Sequence, residues 1–196
     1  MSDNMDLETP ELVRRWRREL SIAAKSGINF ILAACVVWLV ITYLWTLPYS
    51  AYDRSVLTFI AASLLLPLAW VFSKILKAAW SVPGNPLEPL GLWLNFAQLC
   101  YFPFLIFVLL RYPEDFVMTL AIITGAHLFP YAWFYDTRAY AAAGVGIPVG
   151  SLILGLTLEA REVFWIPLFV AGSMAVLAAA LFVLSRRAAS DQEGTG

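Results

Sequence analysis

The sequence predicts an all-α fold: a polytopic membrane protein with six transmembrane helices in one bundle and both termini in the cytoplasm. Hydrophobic residues make up 61% of the chain and charged residues only 14%, against roughly 25% charged in soluble domains. Six stretches of about twenty residues contain no Asp, Glu, Lys or Arg, and a helix of about that length crosses a hydrocarbon core of about 30 Å. The predicted spans lie near residues 27–47, 55–73, 89–110, 116–135, 139–158 and 163–185.

These spans divide the chain into three segments. Residues 1–26 are expected to form a cytoplasmic, amphipathic N-terminal segment, residues 27–185 the transmembrane domain, and residues 186–196 a short polar cytoplasmic tail. Little sequence is left over for a soluble domain. We therefore expect a multi-pass protein of the cell (inner) membrane.

The basic residues give the orientation, because cytoplasmic loops retain Lys and Arg during insertion. One side of the predicted bundle carries only Arg54, Arg111 and Arg161. The other side carries Arg14, Arg15, Arg17, Arg18, Lys25, Lys74, Lys77, Arg138, Arg186 and Arg187. The second side, which includes both termini, is therefore expected to face the cytoplasm.

The N-terminal segment is predicted to contain an amphipathic helix. Thr9, Pro10 and Glu11 supply a cap, a preset φ and an acidic side chain for its first turn. Apolar side chains then recur at a spacing of three to four residues, with basic side chains opposite them: Leu12, Val13, Trp16, Leu20 and Ala23. Such a helix lies in the membrane interface, where it could anchor the chain, sense anionic lipid or dock a partner.

Polar side chains in the fourth predicted span mark a candidate ligand-binding site. His127 is the only histidine, and at 100° per residue it shares a narrow face with Thr124, Tyr131 and Tyr135. We call these four residues the polar seam. Pro130, in the same span, frees a backbone carbonyl and predicts a kink beside the seam. Polar groups in hydrocarbon are costly unless they meet a partner or water.

Further polar groups are predicted at a similar depth. Asn95, Gln98 and Tyr101 lie along one flank of span three, and Asn29 lies just inside span one. At the helical rise, Asn95 is about 9 Å and the histidine about 12 Å from the inner face. Together with the seam they predict a polar pocket in the cytoplasmic half. Its rim is expected at Glu88, Asp136 and Arg138. The alternative is that these groups only hydrogen-bond the helices together.

Small residues mark helix faces that could approach another helix closely. Gly146 and Gly150 form a GxxxG spacing in span five, and an alanine stripe follows in span six, at Ala171, Ala175 and Ala179. These faces could pack inside the bundle or form a homo-oligomer. Membrane lipids are the other expected partners.

Several functional classes are excluded by composition. The net charge is −1 and the basic residues lie at helix ends, so no nucleic-acid binding is expected. The two cysteines, Cys35 and Cys100, have no CxxC spacing, and a single histidine supplies neither a metal site nor an activated nucleophile. We therefore predict no catalytic residues, no metal and no cofactor.

Three stretches also carry a resemblance. They are Leu20–Ile22 leading into Gly27–Ala33, Asn85–Leu87, and the motif Gly125-Ala126-His127-Leu128-Phe129-Pro130-Tyr131. Through them nearly the whole chain resembles a domain-of-unknown-function family of small six-span bacterial integral membrane proteins. The resemblance implies a multi-pass helical protein without an assigned activity, and it draws attention to His127, Pro130 and Tyr131.

Two functions follow as expectations. The first is a transporter for a small molecule, lipid or ion, with the polar seam lining its pocket. The second is a non-enzymatic membrane scaffold that binds lipid or partner helices through its small-residue faces and its N-terminal helix. The two differ in one observable: a pocket leaves the polar side chains open to a ligand, whereas packing pairs them within the protein.

Overall fold

We analysed a computed structural model, which describes residues 9–193, with side chains described as far as residue 186. This part of the chain forms nine α-helices and contains no strand. Single turns of 3₁₀-helix at Lys25–Gly27 and Pro113–Asp115 join some of them. The helices are α1 (Thr9–Ala23), α2 (Ile28–Thr46), α3 (Ala51–Ala62), α4 (Leu65–Leu76), α5 (Glu88–Leu99), α6 (Phe102–Arg111), α7 (Phe116–Phe134), α8 (Arg138–Thr157) and α9 (Trp165–Glu193).

Six helical segments are long and apolar enough to cross a membrane, which confirms the predicted all-helical, six-span bundle. They are Lys25–Thr46, Ala51–Leu76, Glu88–Arg111, Pro113–Phe134, Arg138–Thr157 and Trp165–Arg186. Helix α1 includes Thr9, Pro10 and Glu11, where the sequence predicts a helix start, and residues 1–8 lie outside the described part of the chain. The predicted polar tail is described only in part: α9 continues through Glu193, and residues 194–196 lie outside the described part of the chain.

Two of the six spans are broken near their middle. Span two is divided into α3 and α4 at Ser63 and Leu64, and span three is divided into α5 and α6 at Cys100 and Tyr101. A proline follows each break, in the first turn of α4 and of α6, where its missing N–H interrupts the helical ladder least. By contrast, α7 and α8 continue through their prolines.

The tightest packing joins α7 to α8, because glycines allow their backbones to approach. A Cβ atom added to Gly144 would lie 2.8 Å from the backbone nitrogen of Phe129. One added to Gly125 would lie 2.5 Å from a ring carbon of Pro148. The two glycines of the GxxxG spacing have different neighbours. Gly150 faces the ring of Phe169, whereas a Cβ atom added to Gly146 would have no neighbour within 4 Å.

The core lies between α2, α7, α8 and α9 and is almost entirely apolar. Phe116, Val170 and Met174 are fully buried, and Ile41 and Leu181 are each 1% exposed. Span three is peripheral, since α5 contributes no buried residue. The α5 half of span three therefore lies at the edge of the bundle, whereas span two packs on α2 through α4.

Spans two and three meet at only one end of the bundle. Helices α3 and α6 pack together, and the rings of Phe59 and Phe102 lie 5.4 Å apart between them. Helices α4 and α5 are not among the helix pairs that pack closely, and the link between them, residues 77–87, has no helix of its own. The close contact between spans two and three is therefore confined to their α3 and α6 halves.

Candidate functional site

The polar seam lies on α7, and its rings form a continuous row of aromatic contacts. The rings of His127 and Tyr131 are 5.4 Å apart, and those of Tyr131 and Tyr135 are 5.9 Å apart and nearly parallel. Tyr135 then stacks on Tyr140 of α8 at 5.8 Å. Thr124 lies one turn before the histidine on the same face of the helix. The seam therefore points into the bundle, on the side of α7 between its contacts with α8 and α5.

Polar atoms of the seam have no hydrogen-bond partner within the described residues. Most other membrane-embedded hydroxyls are satisfied locally: Thr42 donates to Trp38, and Ser173 donates to the carbonyl of Phe169. No such bond is made by Thr124, His127 or the phenols of the seam, although all four side chains are half-buried. The fully buried side-chain atoms that lack a partner in the described chain are Arg54 Nε and Ser151 Oγ. The seam atoms are therefore not completely enclosed, although a Cβ atom added to Gly27 would lie 3.1 Å from the Tyr135 hydroxyl.

Helix α5 places one of the predicted amides at the depth of the seam. A Cβ atom on Gly91 would lie 3.0 Å from the ring of Phe134, which fixes the register of these oppositely directed helices. Gln98 lies seven residues after Gly91 on α5, and His127 lies seven residues before Phe134 on α7. Gln98 is half-buried and makes no hydrogen bond within the described chain. The glutamine amide and the imidazole therefore lie at the same depth.

The other two predicted residues of span three, Asn95 and Tyr101, are more exposed than Gln98. The Asn95 amide donates to the carbonyl of Gly91, 2.9 Å away, and its side chain is exposed. Tyr101 lies at the break between α5 and α6 and is 52% exposed. On the helical wheel, Asn95 and Tyr101 lie on opposite sides of Gln98.

Asn29 hydrogen-bonds to helix α4 and not to the seam. It is 3% exposed, and its amide donates to the carbonyl of Ala69, 3.2 Å away, joining α2 to α4. Because an unpaired amide is costly in an apolar environment, this contact holds the two helices in register. Asn29 therefore has a partner within the protein, in contrast to the seam residues.

Two predicted rim residues are engaged in contacts at the α1 end of the bundle. The Glu88 carboxylate accepts a hydrogen bond from the backbone nitrogen of Val82 at 3.1 Å. Asp136 forms an ion pair of 2.8 Å with Arg17 of α1. Arg138 begins α8 and is exposed. The rim residues therefore lie at one end of the bundle, and none of them hydrogen-bonds to the seam.

The N-terminal helix closes this end of the bundle. Arg17 donates to the carbonyl of Trp133, and its guanidinium lies 4.7 Å from the centre of that residue's ring. Asn85, in the link after α4, donates to the carbonyl of Trp16 at 3.0 Å and to the Glu19 carboxylate at 2.9 Å. These contacts fix α1 across the ends of α7 and the 77–87 link.

Helices α4 and α5 do not pack closely on each other, and we call the region between them the lateral groove. We define it by four side chains of the two helices: Leu66 and Trp70 on α4, and Asn95 and Leu99 on α5. All four side chains are exposed, and each lies next to the face by which its helix packs on the bundle. The α3–α6 contact closes one end of the groove, and α1 with the 77–87 link covers the other. The groove is therefore open sideways, toward the membrane.

Two clefts are found at the opposite end of the bundle. A cleft of ≈ 460 Å³ between α8 and α9 is apolar, and a smaller one of ≈ 140 Å³ contains Glu114 and Asp115. Both clefts contact Leu158. None of the predicted site residues lines either cleft.

The described residues contain no group of three or more His, Cys, Asp and Glu side chains placed to hold a metal ion. The two cysteines have different surroundings. The Cys35 thiol donates to the carbonyl of Ala171 at 3.5 Å, whereas Cys100 is exposed at the break in span three.

Sequence reasoning missed three features of the site. It treated Arg17 as one of several anchoring cations, although this side chain is 13% exposed and holds α1 in place. It did not single out Tyr140, whose hydroxyl donates to the Ser26 carbonyl at 2.7 Å. It also did not predict that α4 and α5 do not pack closely on each other. The prolines after both breaks were the available signal, since they show that these two spans are discontinuous.

Residues 13–184 match a family of unknown function, DUF7010. The chain belongs to this family. The match covers all six spans and most of α1, so membership applies to the whole bundle. No curated protein and no solved structure matches the chain.

Proposed function

We propose that this DUF7010 protein binds a membrane lipid or a similar amphipathic molecule, which reaches the polar seam sideways through the lateral groove. On the expected orientation, the site lies in the cytoplasmic half of the membrane. The polar part of the ligand contacts the seam and Gln98, and its apolar part lies between α4 and α5. The proposal covers binding; transport of the ligand across the membrane would need a further step.

One observation carries the proposal: the seam's polar atoms are not completely enclosed and have no partner in the described protein. In hydrocarbon an unsatisfied polar group costs several kcal/mol, so these atoms need an external donor or acceptor. If the seam were only a packing device, its imidazole, hydroxyl and phenols would be paired across helices. Unpaired groups at the depth of the groove fit the polar end of an amphiphile.

The shape of the groove favours a ligand from the membrane over an ion or a soluble molecule. Ion permeation needs a path open to water at both ends of a span. Here the packed rings of Phe59 and Phe102 lie at one end, and α1 lies across the other. The side of the groove is bordered by exposed apolar side chains, which suit an acyl chain.

Lipid retention in apolar variants of the seam tests the proposal. We would purify the full chain and the His127→Leu and Thr124→Val variants in a mild detergent, and quantify bound lipid by native mass spectrometry. Thr119→Val is the matched control, because the Thr119 hydroxyl already donates to the carbonyl of Asp115 at 2.9 Å.

We expect the two seam variants to retain less lipid while their melting temperatures stay the same or rise, because each substitution removes a polar group that has no protein partner. The control should retain lipid as the unmodified protein does. Equal lipid retention in all variants would contradict the proposal. A marked loss of stability in the seam variants without loss of lipid would support the packing alternative.

A further inference from the structure

We infer that the ligand of the polar seam is an uncharged lipid whose small polar end carries a hydroxyl group, as in a diacylglycerol. This inference rests on the proposed lipid binding at the seam and Gln98, and it adds the chemical class of the lipid. Three observations carry it: the depth of the seam in the bundle, the uncharged spans around it, and the turn that closes its end toward the interface.

The seam lies deep along α7. Thr124 is eight residues from the first residue of this helix, Phe116, and His127 is seven residues from the last, Phe134. At the helical rise, both side chains are therefore about 10–12 Å from the nearer end of the helix. A charged head group bound there would have to enter the hydrocarbon core, where an ionised group without a partner is costly.

The spans around the seam contain no charged residue that could act as this partner. Helices α3, α5, α6, α8 and α9 pack on α7, and their charged residues lie at the two ends of the bundle. The closest well-buried cation, Arg17, is already engaged with Trp133 and Asp136 at the end of α7, and Arg138 is exposed at the start of α8. An anionic head group at the depth of His127 would therefore lack a counter-charge, whereas a neutral one needs none.

The turn between α1 and α2 closes the seam at the end that carries α1. A Cβ atom added to Gly27 would lie 3.1 Å from the ring and from the hydroxyl of Tyr135. The Tyr140 hydroxyl donates to the Ser26 carbonyl of the same turn at 2.7 Å. The turn thus lies between His127 and the interface, and it blocks the path along the seam for a large head group. The polar end of the ligand must therefore be small.

The hydrogen-bonding groups of the site suit a hydroxyl. The Thr124 hydroxyl, the Tyr131 phenol, a neutral imidazole and the Gln98 amide can each donate and accept hydrogen bonds. A lipid hydroxyl also does both, whereas a fully ionised phosphate only accepts. Of the polar ends that a membrane lipid offers, a neutral hydroxyl therefore pairs with these side chains most completely.

The inference is tested with two lipids that differ only in charge at the polar end. The probes are a diacylglycerol and the phosphatidic acid with identical chains, titrated onto the full-length protein in detergent and detected by native mass spectrometry. A Gln98→Lys variant places a cation at the depth of the seam, where Gln98 is half-buried. Trp93→Lys is the matched control, because it adds the same charge on the outer face of α5, where Trp93 is 69% exposed.

We expect the unmodified protein and the Trp93→Lys control to bind the diacylglycerol at least about tenfold more tightly than the phosphatidic acid, because the phosphate has no counter-charge at this depth. Gln98→Lys should lose or reverse this preference. Equal or tighter binding of phosphatidic acid by the unmodified protein would overturn the inference, and this comparison decides even if the lysine variant does not fold. An unchanged preference in a folded Gln98→Lys variant would also overturn it. Failure of the unmodified protein to bind either lipid would instead contradict the proposed function itself.

Discussion

At the scale of single residues, the helix contacts depend on a few positions where one side chain decides the fit. Gly144 is the clearest, because an added Cβ would lie 2.8 Å from the Phe129 backbone, whereas Gly146 on the same helix has open space. We expect Gly144→Ala to destabilise the protein by about 1–3 kcal/mol, the usual cost of overpacking. The matched Gly146→Ala should change stability little. Thermal unfolding in detergent measures both, and equal stability of the two variants would show that α7 and α8 do not meet at Gly144.

Tyr140 offers a second test at this scale. It is 2% exposed, and its hydroxyl donates to the Ser26 carbonyl in the left-handed turn before α2. Tyr140→Phe leaves that carbonyl without its side-chain donor, so we expect a loss of about 1–3 kcal/mol. Tyr101→Phe, at an exposed side chain without a hydrogen bond, is the control. A chemical denaturation series that gave the same free energy of unfolding for both variants would contradict the role assigned to Tyr140.

The residue scale also shows what the sequence could and could not predict. The seam on α7 follows from the helical period alone, because Thr124, His127, Tyr131 and Tyr135 share a face wherever the helix lies. The positions of Asn95 and Gln98 do not follow from the helical period alone. Both were assigned to one flank of span three, but the face that meets α7 is decided by the fit of Phe134 against Gly91, and this requires the neighbouring helix.

At the scale of helices, α1 is held to the bundle by one well-buried cation. The Arg17 side chain is 13% exposed, while that of Asp136 is 66% exposed, so the ion pair itself is worth only a few tenths of a kcal/mol. We expect Asp136→Asn to weaken the docking of α1 by only those few tenths of a kcal/mol. Arg17→Ala should weaken it by about 1 kcal/mol more, because this substitution also removes the contacts with Trp133. Asparagine is the replacement of choice at residue 136, because it tolerates the left-handed backbone there, where φ is 53°.

Hydrogen exchange of the α1 amides measures this docking. Faster exchange in Arg17→Ala, with little change in Arg14→Ala, is the expected pattern, since Arg14 is exposed on the same helix. Unchanged exchange in Arg17→Ala would mean that the contacts of Asn85 hold α1 without the arginine. The six spans themselves were predictable from charge-free length, whereas this docking was not, because it pairs side chains more than a hundred residues apart in the sequence.

At the scale of the whole molecule, charge is distributed unequally between the two ends of the bundle. The end that carries α1 has most of the basic side chains, and the opposite end has Asp53, Glu114, Asp115, Glu159 and Glu162. Since cytoplasmic loops retain basic residues, we expect reporters fused after residue 77 and after residue 196 to be cytoplasmic. A reporter fused after residue 111 should lie on the opposite side. The reverse pattern would move the lateral groove to the other half of the membrane.

The central claim at this scale is that the space between α4 and α5 is open to lipid down to the seam. It is tested most directly by a nitroxide spin label at position 98, attached to Gln98→Cys in a Cys35→Ala/Cys100→Ala background in lipid vesicles. A label at position 93 is the reference, because Trp93 lies on the outer face of α5 and is 69% exposed.

Collisions of the label with oxygen, which concentrates in lipid, are compared with collisions with a water-soluble nickel chelate. We predict that the label at position 98 collides with oxygen nearly as often as the label at position 93 and is protected from nickel. Low accessibility to both reagents would show that the seam is a packed interface, and high accessibility to nickel would show a water-filled pocket. Either result would contradict a groove that admits lipid from the side.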